Sequence, residues 1–228
     1  MTDRAASTTS LDVAEAPAGE RYLLIADISG FTSFLASVEE AHGVDFSQGI
    51  PIAYSLLAEL LDSVATGASP EFALVKLEGD AVFACAPASA LDGDGDRVLD
   101  RLATMYAGFL AARTRATPGP EHVCTACPNV AYLDLKVILH RGLCVRQSVG
   151  LGSDLLGPAV TVAHRLLKNG IRDRIGYRPY LFVTDAAAGG LGLSGVGLAH
   201  EERYPDAGEV RGSILDLRTP LAPVSPVA

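Results

Sequence analysis

The sequence predicts an α+β domain, an antiparallel-rich sheet with helices packed on it, and three observations carry that expectation. The 228 residues are 49% apolar and 20% charged, enough for one buried core and too apolar for a disordered chain. Strand-like and helix-like segments alternate irregularly rather than in repeated βαβ units. Two pairs of strand-like runs are joined through short glycine-containing links, at 78–80 and at 141–142, which reads as two hairpins. A single domain over residues 20–218 follows, with 1–19 as a mobile leader and 219–228 as a flexible Pro-rich tail.

Each element has its own justification. The apolar run 22–26 is typical of a buried strand and stops at Asp27. Ser29-Gly30 then opens a helix with Phe31, Phe34, Leu35 and Val38 on one face, and Ile52, Leu56, Leu57, Leu60, Leu61 and Val64 mark a second helix. Segments 72–76 and 81–86 form the first hairpin around Glu78-Gly79-Asp80. A long helix covers 97–115, and a loop with Pro, Gly and Cys runs from 117 to 129. Segments 133–140 and 143–149 form the second expected hairpin. A basic-tipped helix at 160–168 ends at Asn169-Gly170, a C-cap signal, and 180–183 and 210–217 are late strands.

Composition also excludes functions. With 18 Lys plus Arg against 27 Asp plus Glu, the formal charge of −9 repels a phosphate backbone, so nucleic acid is not an expected partner. No run approaches the ~18 apolar residues a membrane span needs, and the N-terminus lacks a secretory h-region. Four unevenly spaced cysteines make a poor disulfide framework. A reduced, cytoplasmic protein that does not enter the membrane is the expectation.

Asp27 and Asp80 are the most informative residues. Each sits at a strand edge near a glycine, where a carboxylate is costly to bury unless a cation or hydrogen bonds meet it. Brought together by neighbouring strands they repel, and a pair of Mg²⁺ ions cancels that repulsion. The helix opening at Ser29-Gly30-Phe31-Thr32 offers free backbone N–H groups suited to phosphate. On spacing alone a helix-cap aspartate and a turn aspartate explain the two residues more simply.

Asp27-Ile28-Ser29-Gly30-Phe31-Thr32, followed by Lys76-Leu77-Glu78-Gly79-Asp80, resembles the two metal motifs of class III nucleotidyl cyclases. The segment from Asp154 to Arg165 is similar to that family's Asp-x-x-Gly-x-x-Val-Asn-x-Ala-x-Arg block, and Gly142 and Gly150 fall where the family has a glycine-containing strand pair. The run His164-Arg165-Leu166-Leu167-Lys168-Asn169 and the Cys-x-x-Cys loop are similar to an uncharacterised bacterial branch of cyclase-like proteins. The resemblance implies a ferredoxin-like core acting as a head-to-tail homodimer that takes a nucleoside triphosphate at the interface. It implies that Asp27, Asp80 and the Ile28 carbonyl hold two Mg²⁺ or Mn²⁺ ions, and that Gly30, Phe31 and Thr32 cradle phosphate. It further implies that Lys76 and Asp154 read adenine, that Arg165 stabilises transition-state charge, and that Arg211 binds the terminal phosphates. The reaction implied is conversion of ATP to cyclic AMP and pyrophosphate; the alternative is a degenerate cyclase homology domain kept as a nucleotide- or anion-binding module.

Two departures bear on catalysis. Thr161 stands where active cyclases usually carry an Asn that organises the ribose, and its hydroxyl is shorter. Glu78 replaces an apolar residue; by strand alternation it shares a face with Lys76 and Asp80, so it either pairs with Lys76 or adds a third carboxylate near the metals.

Two further motifs are weighed. His122, Cys124 and Cys127 supply three of the four ligands of a structural zinc site, with Cys144 or His140 as possible fourth; a lone CxxC reads rather as free thiols or a reversible disulfide. Asp92-Gly93-Asp94-Gly95-Asp96 starts like a calcium loop but has Arg97 and Ala103 in place of the required Gly and Glu, and reads as a helix N-terminus.

Overall fold

The computed structural model describes residues 18–119, 121–150, 152–176 and 179–221. β1 (Ala18–Ser29) opens the chain, so residues 18–19, read from sequence as leader, are strand; residues 1–17 lie outside the described set. α1 (Phe31–His42) and α2 (Ile52–Ala68) follow, then the hairpin of β2 (Ala73–Glu78) and β3 (Ala81–Pro87). A short α3 (Ala88–Leu91) precedes the long α4 (Gly95–Ala116), and a 3-10 turn (Cys127–Tyr132) leads into β4 (Asp134–Val149). After β5 (Gly152–Leu156) come α5 (Pro158–Arg165), α6 (Ile171–Ile175), β6 (Tyr180–Thr184), α7 (Asp185–Leu191), β7 (Leu198–Tyr204) and β8 (Gly208–Asp216). Leu221, inside the expected tail, is buried in the core, and residues 222–228 lie outside the described set.

The eight strands form one sheet in the order β2-β3-β1-β4-β6-β8-β7, with β5 paired to β4. Within it, β1-α1-α2-β2-β3-α4-β4 is a ferredoxin-like unit: β3 lies between β1 and β2 and runs antiparallel to both, and β4 flanks β1 antiparallel. Strand alternation divides the core. Tyr22, Leu24, Ala26 and Ile28 of β1 face α1, α2 and α4, while Leu23 and Ile25 face Ala159 and Ala163 of α5. A third cluster, Ile138, Leu166, Ile171 and Phe182, anchors the segment after α5.

The second expected hairpin is overturned. Residues 134–149 are one continuous strand through Arg141-Gly142, and Gly142 is not among the positive-φ glycines. Its glycine serves packing: a Cβ there would lie 2.9 Å from the Ala159 Cβ, so the missing side chain admits α5. The chain reverses at Gly150, φ +61, between β4 and β5.

Candidate functional site

Three segments meet where β1 ends. The Ile28 N–H donates to the Asp80 carbonyl at 3.0 Å, pinning the β2–β3 turn onto β1, and the Asp27–Ala81 register sets Asp80 next to Asp27. Gly79 makes that turn with φ +63, a conformation other residues adopt at a cost. Asp80 is half-buried, and its carboxyl is pushed above the usual carboxylate range, first by burial and then by the charge of Asp27.

Directly after β1, Gly30 enters α1 in the left-handed region with φ 92 and caps the helix with no side chain. The first intrahelical bond there runs from the Phe34 N–H to the Gly30 carbonyl at 3.0 Å, so the preceding N–H groups of Phe31, Thr32 and Ser33 are left over by helix geometry. Asp27, Ile28, Gly30, Phe31, Thr32 and Asp80 all line one cavity of about 660 Å³. Its other walls include Asp134, Lys136, Asn169, Arg172 and Tyr180.

Lys136 is the member of this cavity that sequence reasoning missed. It lies opposite Asp27 in the β1–β4 register, sets its Nζ 2.8 Å from the Asp27 carboxylate, and donates to the Leu167 carbonyl at 3.1 Å. Its signal was a lone cation within the apolar strand Leu135, Val137, Ile138, Leu139. The walls carry Asp27, Asp80 and Asp134 against Lys136 and Arg172, so carboxylates outnumber cations beside a helix N-terminus. That donor set, hard oxygens next to phosphate-seeking N–H groups, fits a divalent cation carrying a phosphorylated ligand.

The remaining expected residues gather elsewhere. Lys76 binds the Asp154 carboxylate at 2.6 Å and Glu78 at 3.0 Å. The Lys76 ammonium is held above its ordinary range by Asp154 first, and Asp154 is lowered chiefly by Lys76. Glu78 therefore pairs with Lys76 instead of joining the aspartates, and its other oxygen lies 2.7 Å from His164 Nε2. Thr161 and Arg165 are exposed one turn apart on α5 and line a second cavity of about 410 Å³ with His164, Leu167 and Lys168. The Thr161 hydroxyl makes only a long contact, 3.5 Å, to the Gly157 carbonyl, and the Arg165 Nε donates to Asp206 at 2.9 Å. Arg211 lines neither cavity; it sits on β8 between Glu201, at 3.4 Å, and Glu209.

The cysteine loop is completed from outside itself. His42, the last residue of α1, places Nε2 3.1 Å from both Cys124 Sγ and Cys127 Sγ. Cys144 and His140, the fourth ligands expected from sequence, are buried elsewhere: Cys144 packs with Leu23 and Ala159, and His140 meets the Thr184 hydroxyl at 3.1 Å. The Cys124 thiol is lowered to about 6, mainly by backbone N–H groups of Cys127 and Ala126, while burial raises Cys127. In the Asp-Gly run, Asp96 lies in the first turn of α4, in keeping with a helix entry, and Asp92 accepts the Tyr22 hydroxyl at 2.6 Å.

The architecture is that of class III nucleotidyl cyclase catalytic domains. The adenylyl cyclase CyaB from P. aeruginosa is similar with a TM-score of 0.58 at 14% identity, over 90% of this chain and 98% of that one. A bacterial light-regulated adenylyl cyclase aligns with a TM-score of 0.53 at 20% identity, over 85% and 89% of the two chains. Adenylate cyclases from Trypanosoma brucei give 0.52 at 20% identity, over 89% and 92%. At these identities the likeness concerns the fold. By sequence, the chain belongs to the family described as "Protein of unknown function (DUF2652)", whose model matches residues 57–175. A Mycobacterium tuberculosis relative, "Uncharacterized protein Rv2561/Rv2562", is 32% identical over 169 residues, 72% of this chain and 74% of its own length. Among the described residues no helix is long and apolar enough to cross a membrane.

Proposed function

We propose that this protein is a class III cyclase-like enzyme that, as a head-to-tail homodimer, slowly converts ATP to cyclic AMP and pyrophosphate. The observation that carries this reading is the single cavity in which Asp27, Asp80 and the uncapped N-terminus of α1 converge. In this reading Asp27, Asp80 and the Ile28 carbonyl hold Mg²⁺ or Mn²⁺, and the N–H groups at Phe31 and Thr32 orient the triphosphate. Bound there, divalent ions polarise the α-phosphate and ease ionisation of the ribose 3′-hydroxyl. Lys136 neutralises part of the aspartate charge and, to let Asp27 take a metal, moves its ammonium toward phosphate.

Arg165 lines the second cavity with Thr161, while the Lys76–Asp154 pair lines neither cavity; in this reading one complete site takes these residues from a second chain. Lys76 and Asp154 present an amine and a carboxylate to the adenine edge, and Arg165 leaves Asp206 to meet charge on the α-phosphate. Arg211, held by Glu201 and Glu209, leaves them in this reading to meet the terminal phosphates.

A second reading has its own support. Lys136 already occupies Asp27, Glu78 occupies Lys76, and Asp206 occupies Arg165, as in a domain kept for nucleotide or anion binding without turnover. Both readings require ligand at the aspartate cavity. Melting measured with Mn²⁺, with a non-hydrolysable ATP analogue, and with both together tests that shared step. The expected outcome is a rise of several degrees that needs both components and is absent in Asp27→Asn; saturating ligand at 100 times its Kd stabilises by about 2.7 kcal/mol. No rise under any condition overturns both readings.

A further inference from the structure

Four metal-ligating side chains lie together on the α1 side of the sheet, away from the aspartate cavity. His42 ends α1, His122 and Cys124 lie in the loop after α4, and Cys127 opens the 3-10 turn before β4. One ligand atom from each lies within 4.8 Å of all the others, and His42 Nε2 stands 3.1 Å from both sulfurs. We propose that this cluster is a structural zinc site of the Cys₂His₂ type, which clamps the end of α1 to the loop that leads into β4.

The geometry is close to what zinc requires. Bonds of about 2.3 Å to sulfur and about 2.0 Å to nitrogen place tetrahedral ligand atoms about 3.3–3.8 Å apart. His42 Nε2 already lies at about that spacing from both sulfurs, and all four atoms lie within 4.8 Å of one another, so side-chain rotation has about 1 Å to close. The turn is also arranged for thiolate: the Ala126 N–H donates to Cys124 Sγ at 3.3 Å. Two thiolates and Zn²⁺ sum to zero charge, so the metal can sit beside the buried Cys127 without a buried net charge. Four protein ligands close the shell and leave no position for substrate, which makes the site structural. Binding releases whatever thiol protons remain on Cys124 and Cys127 to solvent, so occupancy falls in acid. A Cys124–Cys127 disulfide, by contrast, gives no reason for two histidines from separate segments to converge on both sulfurs.

The clamp has a defined mechanical place. α1 starts at the aspartate cavity with Gly30 and ends at the cluster with His42, and the loop it meets continues into Asp134 and Lys136 on the opposite wall of that cavity. Zinc thus ties the far ends of two elements whose near ends form the cavity. Its loss is expected to loosen the loop after α4 first.

The test uses the full chain purified without chelator. Elemental analysis is expected to give one zinc per chain, with Cys124 and Cys127 protected from thiol reagents and the melting temperature lowered by a strong chelator. Replacement by Co²⁺ is expected to give the visible bands of tetrahedral cobalt together with thiolate-to-cobalt charge transfer. His42→Ala and His122→Ala alter exposed side chains, so the fold survives, and each is expected to weaken zinc binding by ~10-fold or more. Cys144→Ser and Asp27→Asn are expected to leave zinc content unchanged, which separates this site from the aspartate cavity. A chain that purifies free of zinc and takes up no Co²⁺, a Cys124–Cys127 disulfide in reducing buffer, or zinc affinity unaltered by His42→Ala overturns the assignment.

Discussion

At Asp80 folding and ligand binding pull in opposite directions. Burial and the Asp27 charge hold its carboxyl above the usual range, so at neutral pH the ionised form works against the fold. Asp80→Asn is therefore expected to raise the metal-free melting temperature, on the order of 2 °C, while abolishing the rise caused by Mn²⁺ with an ATP analogue. A lower melting temperature in metal-free buffer contradicts the assignment of strain to this carboxylate. His140 sets a second residue-scale expectation. Burial lowers its imidazole from 6.5 to about 4, so between those values the unfolded chain binds the proton that the folded chain refuses. Stability should fall as pH drops from 6.5 toward 4, by up to about 1.4 kcal/mol per pH unit from this group, and flatten below. His140→Gln, which keeps a hydrogen-bonding group for Thr184 but does not titrate, should show a shallower slope across that window in denaturant titrations. Legibility from sequence also divides at this scale. Asp27, Gly30 and Asp80 stood out because each lies in a contiguous motif that carries the family resemblance, and the structure adds that they line one cavity. Lys136 and His42 did not, because the β1–β4 register and the direction of α1 choose their partners.

Among the elements, those with strong periodicity were anticipated and those shaped by tertiary packing were not. The apolar faces of α1 and α2 and the runs of β1 and β3 meet the core as their spacing predicts, except that Ile52 at the start of α2 is exposed. β7 escaped because His200, Glu201, Glu202 and Arg203 give it the polar composition of a loop; charge of this kind is what an exposed edge strand carries. The short helix α7 contains Gly189 and Gly190, which lower helix propensity. Most instructive is Gly142, where an Arg-Gly pair between apolar runs imitated a turn while its actual task is to admit α5 against β4. Gly142→Ala is expected to destabilise by about 1–3 kcal/mol, because the new methyl meets Ala159 and pushes back the helix that carries Thr161 and Arg165. Gly108→Ala supplies the contrast: inside α4 a Cβ meets only the Ser63 carbonyl at 3.9 Å, and the substitution should stabilise by about 0.5–1 kcal/mol. Equal effects of the two in urea unfolding contradict the packing explanation.

For the molecule as a whole, the decisive feature is the separation of two partial sites on one chain. The aspartates and the α1 N-terminus line one cavity, Thr161 and Arg165 line the other, and only Leu167 is shared. In the proposed head-to-tail dimer each composite site takes one half from each chain, so activity is expected to be a property of the dimer. Cyclic nucleotide formation from ATP and GTP with Mn²⁺ tests this most directly, measured for the wild type, Asp27→Asn, Arg165→Ala and an equal mixture of the two variants. The account predicts cyclic AMP from the wild type and none from either variant alone. The mixture should recover roughly a quarter of the wild-type rate, because half the random dimers are mixed and each holds one intact site. No cyclic product from the wild type, or variants that retain activity, would contradict it.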